Sequence, residues 1–418
     1  MTIRMKLLIV CAGLLSLTCP SRADSVCSVP NTQKSYVTAL ALNMARSVGP
    51  CVTPDPSVLL ALNIGNVPDS FARETLIKLL REDSVHKVTE NQPFTSGKVA
   101  LYVLALRSSC SDPTKIYSSG ENINLVHLLE TKTNEELHCI ANTQSPRTTW
   151  YQVALDVLAL CVMSNPSAIT AAKALAEATS ISPPGLTGSV DTAAVAVMGL
   201  TCVLQMDNVP SKTVKLVKSS LSILLDLILN AQNNGLIGNI YSTGLAGQAL
   251  TAAQPYYSVS SWNCSRTIST VIDLIPEGKF SIPISAAQVL PLLWGKSYLS
   301  VKGMPCPADN ASLITVDYTI YNDLTGNPFK YSITVLVNNG STLLQVMEKA
   351  AEINPKDFSF DTENSSWGPF VTTINKLGGS DNDKTYWQFF SNETPLQEGV
   401  GTYKVHNKEH ILAIFSKY

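Results

Sequence analysis

The sequence predicts an (α/α)6 barrel, with six inner and six outer helices, followed by a smaller β-rich α+β domain. Three observations predict this fold class. Helix pairs recur weakly through residues 24–302, two helix types alternate within that repeat, and strand-like alternation begins near residue 312. A chain of 418 residues also exceeds the usual size of one hydrophobic core. We therefore expect a barrel over residues 24–302, a linker over 303–311 and a small domain over 312–418.

The first 23 residues have the pattern of a secretory signal peptide. Arg4 and Lys6 precede an apolar run that is too short to span a bilayer, and Ser21-Arg22-Ala23 places small residues where a signal peptidase reads them. We expect cleavage before Asp24 and a secreted chain that does not insert into membranes. Cleavage removes three cations and no acid, so the net charge moves from −2 to about −5. This charge gives no reason to expect nucleic-acid partners.

Twelve helices are expected in the barrel, separated by breakers such as Pro113 and Pro210. Helices of one type start every 40 to 54 residues, which is the weak repeat of helix pairs. The expected helices are Ser35–Val48, Ser57–Asn63, Ser70–Arg81, Gly97–Ser108, Asn122–Leu129, Thr148–Met163, Ser167–Ala178, Asp191–Gln205, Ser211–Asn230, Ser242–Ala252, Ser265–Leu274 and Ser285–Trp294.

Every second helix is rich in Ala, Leu and Gly, whereas the helices between them, such as residues 71–81, are amphipathic. The first type suits a closely packed inner ring and the second an outer ring. The stretch 189–202 is apolar all round, and the side chains of Asp191 and Thr192 are expected to cap a buried helix there. Polar residues near the inner-helix starts are expected to line one mouth of the barrel: Thr95, Lys98, Tyr151, Asp191, Asn239, Tyr241, Thr243 and Gln288.

The small domain is predicted from strand-like alternation after a short Pro-containing linker. Strands are expected near 313–320, 331–337, 370–374, 385–390 and 411–415, with an amphipathic helix over 342–353. Five glycosylation sequons fit a secreted protein: Asn263, Asn310, Asn339, Asn364 and Asn392.

Eight cysteines remain after the signal peptide, widely spaced and without a CxxC pair. This spacing disfavours zinc and redox sites, and the even count in a secreted chain favours disulfides.

Two classes of protein that carry out a chemical reaction can also have a barrel of this shape, namely glycosidases and complement-type thioester domains. A glycosidase needs two carboxylates that face each other across the substrate. The position suited to pair with Asp191 is 239, which is Asn, and the carboxylate of Asp156 lies deeper in its helix. A complement-type thioester domain needs a Cys-Gly-Glu-Gln stretch, which the sequence lacks. We therefore expect no catalytic residues and no enzymatic activity.

Five sequence blocks carry a family resemblance: 189–202, 234–250, 286–293, Ser366-Trp-Gly-Pro and 384–390. Together they resemble the vertebrate cobalamin (vitamin B12) transport proteins, most closely intrinsic factor and haptocorrin. The resemblance implies one cobalamin held between the two domains, as a transported ligand and not as a catalytic cofactor. It also implies a secreted monomer recognised by a cell-surface uptake receptor. An intrinsic-factor-like role is favoured, with a haptocorrin-like scavenger of corrinoids as the alternative.

The resemblance also implies a ligand set. From the barrel it implies Asp191, Gln288 and Asn239, the last replacing an Asp that is frequent in the family. Cobalamin has an apolar ring edge fringed by amides, so a site needs apolar surface with a few placed polar groups, and Tyr151, Tyr241 and Thr243 fit the polar part. For Trp367 and Trp387, the alternative to a ligand contact is packing in the core of the small domain. The implied small-domain contacts are Ser366, Trp367, Gly368, Pro369, Phe370, Val371, Trp387, Gln388, Phe389, Phe390, Ser391, Asn392, Glu393, Thr394, Pro395 and Leu396.

The family pattern implies the disulfides Cys27–Cys264, Cys110–Cys306 and Cys161–Cys202. Cys51 and Cys139 are left over; we predict a fourth bond between them, with two free thiols as the alternative. Transcobalamin-like members carry a histidine just before the 189–202 block, where this chain has Thr187 and Gly188. No protein ligand to cobalt or another metal is therefore expected. The histidines fall outside the implied contacts: His86, His127, His138, His406 and His410.

Overall fold

The computed structural model describes residues 27–50, 52–118, 121–306, 313–365 and 368–418. The predicted signal peptide, Cys51, the sequon at Asn310 and the implied contacts Ser366 and Trp367 lie outside these ranges. Within them the fold class is confirmed: helices dominate up to residue 303, and strands dominate from Leu313 onwards.

The helical part contains thirteen α-helices in the described ranges and ends in a 3₁₀-helix, Tyr298–Gly303. The α-helices are α1 (Lys34–Arg46), α2 (Pro56–Ile64), α3 (Ser70–Thr89), α4 (Ser96–Ser108), α5 (Leu125–Thr143), α6 (Trp150–Val162), α7 (Ser167–Ile181), α8 (Pro184–Thr187), α9 (Val190–Val203), α10 (Ser211–Asn230), α11 (Ser242–Ala252), α12 (Cys264–Leu274) and α13 (Pro283–Leu293). Two short hairpins interrupt them: β1 (Ile116–Ser118) with β2 (Glu121–Ile123), and β3 (Gln232–Asn233) with β4 (Leu236–Ile237).

Six helices form a closed inner ring. Helix α2 packs against α4, and the ring continues through α6, α9, α11 and α13 back to α2. Helices α1, α3, α5, α7, α10 and α12 alternate with them along the chain as the outer ring. Because the chain reverses between successive outer and inner helices, all six inner helices begin at one end of the barrel. We call this end the mouth and the opposite end the base.

Helix α9 is buried from Thr192 to Val203, as expected for a helix that is apolar all round. Its cap differs from the prediction. The hydroxyl of Ser189 accepts the bond from the Thr192 backbone N–H at 3.2 Å, and Asp191 lies in the first turn instead. A carboxylate there faces the positive end of the helix dipole and stabilises it.

Two outer helices differ from their predicted bounds by more than one helical turn. Helix α3 continues past Arg81 to Thr89 because Ser84 and Val85 are buried, and because Asp83 binds both Lys87 and the hydroxyl of Tyr102. The predicted helix Asn122–Leu129 is wrong at both ends. Residues there first form β2, then Asn124 caps the backbone N–H of His127 at 2.9 Å, and α5 runs on to Thr143.

The small domain contains two sheets. Its elements are β5 (Leu313–Asn322), β6 (Phe329–Asn338), α14 (Leu343–Ile353), α15 (Pro355–Phe358), β7 (Phe360–Ser365), β8 (Gly368–Ile374), β9 (Leu377–Gly378), β10 (Thr385–Ser391), β11 (Thr394–Pro395) and β12 (Glu409–Lys417). One sheet has the order β11-β10-β12-β5-β6, with β12 and β5 parallel, and the other has the order β7-β8-β9. Helix α14 packs on β5 and β6.

The three disulfides implied by the family pattern are present: Cys27–Cys264, Cys110–Cys306 and Cys161–Cys202. Cys139 bonds to no cysteine in the described ranges. Since Cys51 lies outside them, the fourth bond stays a prediction. No helix in the described part of the chain is long and apolar enough to cross a membrane.

Candidate functional site

The mouth brings together polar groups from four consecutive inner helices. Tyr151 lies in the first turn of α6, Asp191 in the first turn of α9, and Asn239 just before α11. Gln288 lies in the second turn of α13. Because these helices are neighbours in the ring, their starts form one continuous arc.

Asp191 and Tyr151 are the two side chains of this arc whose pKa values are shifted. Burial raises the pKa of Asp191, and a hydrogen bond from the Ser242 side chain partly offsets that rise. Burial, together with the Asp191 carboxylate, raises the pKa of Tyr151 to about 12. The Tyr151 phenol therefore keeps its proton at neutral pH, and Asp191 accepts hydrogen bonds in its ionised form.

Asn239 organises the loop before α11. Its side-chain oxygen accepts from the backbone N–H groups of Tyr241 at 2.8 Å and Ser242 at 2.9 Å. The acceptor is therefore committed to the protein, while the amide N–H₂ of this exposed side chain remains available to a ligand. Tyr241 is half exposed and meets the ring of Phe280 edge-on at 6.4 Å.

Thr243 was expected among the ligand contacts, but the structure places it beneath the surface. Its side chain is fully buried, and its hydroxyl accepts from the backbone N–H of Ile237 at 2.9 Å and donates to the carbonyl of Asn239 at 2.7 Å. A hydroxyl engaged in this way holds the loop in place and has already used its donor, so its contact with a ligand stays a prediction.

Gln288 is half-buried, and its side-chain amide makes no hydrogen bond within the described residues. The backbone beneath it is held by Gln248, a fully buried side chain. Gln248 donates to the Gln288 carbonyl at 2.7 Å and accepts from the Tyr298 backbone N–H at 3.0 Å. The Gln288 amide is thus free to bind, on a backbone that is fixed.

Two mouth residues were missed by sequence reasoning. Ser242 bonds Asp191, and its place one residue before Thr243 at the start of an inner helix was an available signal. Asp55 caps α2 by accepting from the Ser57 backbone N–H at 2.8 Å. Such a mouth offers hydrogen-bond donors and acceptors that can bind amide groups.

The small domain presents its implied contacts on β8 and on the β10–β11 hairpin, which lie side by side. Phe370 is 51% exposed, an unusual value for a phenylalanine. The hairpin turns at Asn392 and Glu393, both with positive φ, as in a type I′ turn. Residues 392–395 are exposed, whereas Gln388, Phe389, Phe390, Ser391 and Leu396 are half-buried.

Trp387 belongs to the core of the small domain. It is 4% exposed, its ring lies 5.2 Å from that of Phe415, and its indole N–H donates to the Leu377 carbonyl at 2.9 Å. The Trp387 ring therefore packs in the core, as the alternative has it, and its contact with a ligand stays a prediction. Val371 is likewise buried.

The two halves of the implied ligand set do not meet in the structure. Within the described ranges, no hydrogen bond or ion pair joins the mouth residues to 368–371 or 387–396. The small domain lies against the outer helix α3 instead, with Lys78 donating to Thr362 and Arg81 facing Glu348. In this arrangement of the domains, the implied contacts of the barrel and those of the small domain therefore lie on separate surfaces.

The described residues contain no group of three His, Cys, Asp or Glu side chains that could hold a metal ion. The histidines lie on the outer helices α3 and α5 and in the small domain, and not on the inner helices that carry the arc: His86, His127, His138, His406 and His410. That no protein group binds cobalt remains a prediction.

Comparison with known proteins gives consistent matches along the chain. The sequence model of the eukaryotic cobalamin-binding proteins matches residues 9–320, and a second, described as a domain of unknown function, matches residues 340–417. The cobalamin binding intrinsic factor of Rattus norvegicus is 36% identical over 420 residues, 95% of each chain, and that of Homo sapiens is 35% identical over 425 residues, again 95% of each chain. Transcobalamin-1 of Homo sapiens is 33% identical and covers 96% of each chain.

A solved structure is also similar, namely the crystal structure of haptocorrin in complex with Cbi. It has a TM-score of 0.57 and 32% identity, and the match covers 94% of this chain and 100% of that chain. The match includes both the helical and the β-rich parts. The chain belongs to the eukaryotic cobalamin-binding protein family.

Proposed function

We propose that the protein is a high-affinity carrier that binds one cobalamin between the barrel mouth and the β8 and β10–β11 edges of the small domain. The observation that carries the proposal is the arc of Tyr151, Asp191, Asn239 and Gln288 at the mouth of a barrel whose family binds cobalamin. Gly368, Pro369, Phe370 and the hairpin 388–395 supply the facing surface.

The chemistry of the arc suits a ligand fringed with amides. Asp191 accepts hydrogen bonds, Asn239 donates them, and Tyr151 and Gln288 offer both kinds of group. Phe370 and the half-buried rings of Phe389 and Phe390 supply apolar surface for the corrin edge. A cavity with few polar groups and wide apolar walls binds by complementarity, which is the requirement for transport and not for catalysis.

We further propose that the protein is secreted as a monomer and delivered to cells through a surface receptor, in the manner of an intrinsic factor. The predicted cleavage before Asp24 and the three disulfides support an extracellular location. Expression in a secreting cell line, followed by N-terminal sequencing of the medium, tests this. A first residue of Asp24 is expected; retention of the whole chain in the cell contradicts it.

The binding experiment is a titration of the whole chain with cyanocobalamin, followed by calorimetry and visible absorbance. We expect one ligand per chain, and Asp191→Ala lowers the affinity. Asp226→Ala is the matched control, because it removes the same charge from the exposed face of outer helix α10. Equal losses in the two variants, or no binding by the wild type, contradict the proposal.

The same titration with Cbi separates the two carrier roles. Affinities for cyanocobalamin and Cbi within roughly tenfold favour a haptocorrin-like carrier, since haptocorrin has been crystallised with Cbi. A much weaker affinity for Cbi favours the intrinsic-factor-like role. The enzyme alternative predicts hydrolysis of oligosaccharides that is lost in Asp191→Asn, whereas the carrier proposal predicts none.

A further inference from the structure

One face of helix α3 is turned away from the barrel and carries a stripe of charged residues. Glu74, Lys78 and Arg81 are spaced by four and three residues, so their side chains share this face, and Phe71 extends it towards the helix start. The opposite face packs on the barrel through Ala72, Leu76 and Leu80. The stripe is therefore not needed for the barrel core.

The small domain meets this stripe with charges of opposite sign. Arg81 lies 3.8 Å from a carboxylate oxygen of Glu348 and 3.9 Å from one of Glu352, two residues that are neighbours on α14. Lys78 donates to the hydroxyl of Thr362 at 3.1 Å. On the same surface, Lys404 of the small domain lies close enough to Glu74 to affect its pKa. The two surfaces are thus electrostatically complementary along about two turns of helix.

The contact is nevertheless loosely packed. A cleft of about 1010 Å³ separates the two domains along it. The Arg81 Nε atom is buried without a hydrogen-bond partner, and its ion pairs are longer than good hydrogen bonds. Partly exposed ion pairs of this kind contribute little stability and fix a position that can be released.

While the small domain is docked on α3, it cannot take the position in which it would face a ligand at the mouth. Helix α3 runs from the base towards the mouth, so Phe71 and Glu74 lie near the base. Pro369, an implied ligand contact, lines the same cleft, and a β-carbon on its neighbour Gly401 would lie 3.3 Å from the Glu74 carboxylate. Since Asp191 lies at the mouth, Pro369 cannot serve the ligand and the α3 face at once.

The tether between the domains permits both positions. Cys306 is fixed to Cys110 at the base, and the first strand of the small domain begins at Leu313. Seven peptide steps span at most about 25 Å, whereas an inner helix of 9 to 14 residues spans roughly 14 to 21 Å from mouth to base. The tether is long enough for the small domain to shift along the barrel and too short for it to leave.

We infer that the α3 face of Phe71, Glu74, Lys78 and Arg81 is a second docking surface for the small domain, and that cobalamin displaces the small domain from it. This inference rests on the proposed function. The α3 face holds part of the population in a position that cannot close on the ligand, so it slows or weakens binding. Cobalamin binding uncovers the face.

Zero-length cross-linking with a carbodiimide tests the inference on the whole, unmodified chain. This reagent joins Lys78 to a small-domain carboxylate only when the two are in contact, and Lys78 lies within electrostatic reach of Glu348. We expect the cross-linked peptide in protein alone, and roughly a fivefold or greater loss of it at saturating cyanocobalamin. Undiminished cross-linking in saturated protein overturns the inference but leaves the carrier function standing. Absence of any cyanocobalamin binding overturns both.

Charge reversal provides an independent measurement. Arg81→Glu opposes both carboxylates on α14, so cross-linking in the protein alone falls and cyanocobalamin associates faster, roughly threefold or more. Adding Glu348→Arg to that variant restores the slower association rate, which a misfolded chain does not do. Cross-linking is not measured in this double variant, because Glu348 supplies the carboxylate of the cross-link. Lys173→Glu, an equal charge change on the exposed face of outer helix α7, is the control and has no effect. An association rate in Arg81→Glu equal to that of the control contradicts the proposed competition.

Discussion

Replacing Gly244 by alanine tests the close packing that places Gln288 at the mouth. A β-carbon at Gly244 would lie 2.7 Å from the Gln288 carbonyl oxygen and 2.9 Å from the Val289 Cα, whereas ordinary contact begins at 3.4 Å, so α11 and α13 must separate by about 0.7 Å. The opposing atoms are backbone, so no side chain can rotate away. Overpacking of this kind costs about 1 to 3 kcal/mol.

The assays are thermal unfolding and cyanocobalamin titration of Gly244→Ala. At about 2 to 4 °C per kcal/mol for a domain of this size, the melting temperature falls by roughly 2 to 12 °C. Affinity falls too, because the displaced backbone carries Gln288. Gly303→Ala is the control, since its β-carbon meets nothing within 4 Å. Gly247→Ala costs less, because its contacts are side-chain atoms of Leu292. Equal stability of Gly244→Ala and Gly303→Ala refutes the reasoning.

Three further predictions follow from buried groups. Asp191→Ala weakens cyanocobalamin binding by about 1.5 to 3 kcal/mol, the value of a hydrogen bond to a charged group. In calorimetric titrations, the affinity of the wild type also declines as pH falls through the raised pKa of Asp191, because the carboxylate becomes protonated. The affinity of Asp191→Asn stays level over the same pH range. Trp387→Ala destabilises the small domain by about 3 to 5 kcal/mol, and near-ultraviolet circular dichroism shows the barrel signal unchanged. Loss of the barrel signal contradicts the assignment of Trp387 to the core of the small domain. Burial holds the pKa of Asp156 well above its ordinary value, so the folded chain binds this proton more tightly than the unfolded chain. The contribution of Asp156 to stability is therefore greatest below the unfolded pKa and is lost as pH rises towards the folded value. Between pH 4 and pH 7, urea unfolding of Asp156→Asn lacks this part of the decline.

The inner ring was predictable because its helices have to be apolar all round. Helix α11, expected at Ser242–Ala252, has those bounds, because a run of small residues ends the polar loop before it. Helix α5 was not predictable in the same way. Its second half, beyond Leu129, is polar and exposed, and only burial of Thr133 and Glu136 against the barrel reveals it as helix. Tertiary contact, which one sequence does not show, decided that element.

The same distinction, between what a local sequence pattern predicts and what tertiary contacts decide, applies to the candidate site. Position along the chain placed Asp191, Asn239 and Gln288 at inner-helix starts, and the structure gathers them at the mouth. What the residue types could not show is which atoms are already engaged. The Asn239 oxygen caps its own loop, and the Thr243 hydroxyl is buried. Trp387 similarly lies in the core, because alternation along β10 allows either face. The docking of the small domain on α3 depends on pairs far apart in sequence and left no local signal.

Hydrogen exchange of the whole chain, with and without saturating cyanocobalamin, tests the interdomain site most directly. The proposed site predicts protection in both domains at once: near Tyr151, Asp191 and 239–243 at the mouth, and over 368–371 and 388–396 in the small domain. It also predicts faster exchange around Lys78 and Arg81 as the small domain leaves α3. Protection confined to one domain, with the other unchanged at full saturation, contradicts a ligand held between them.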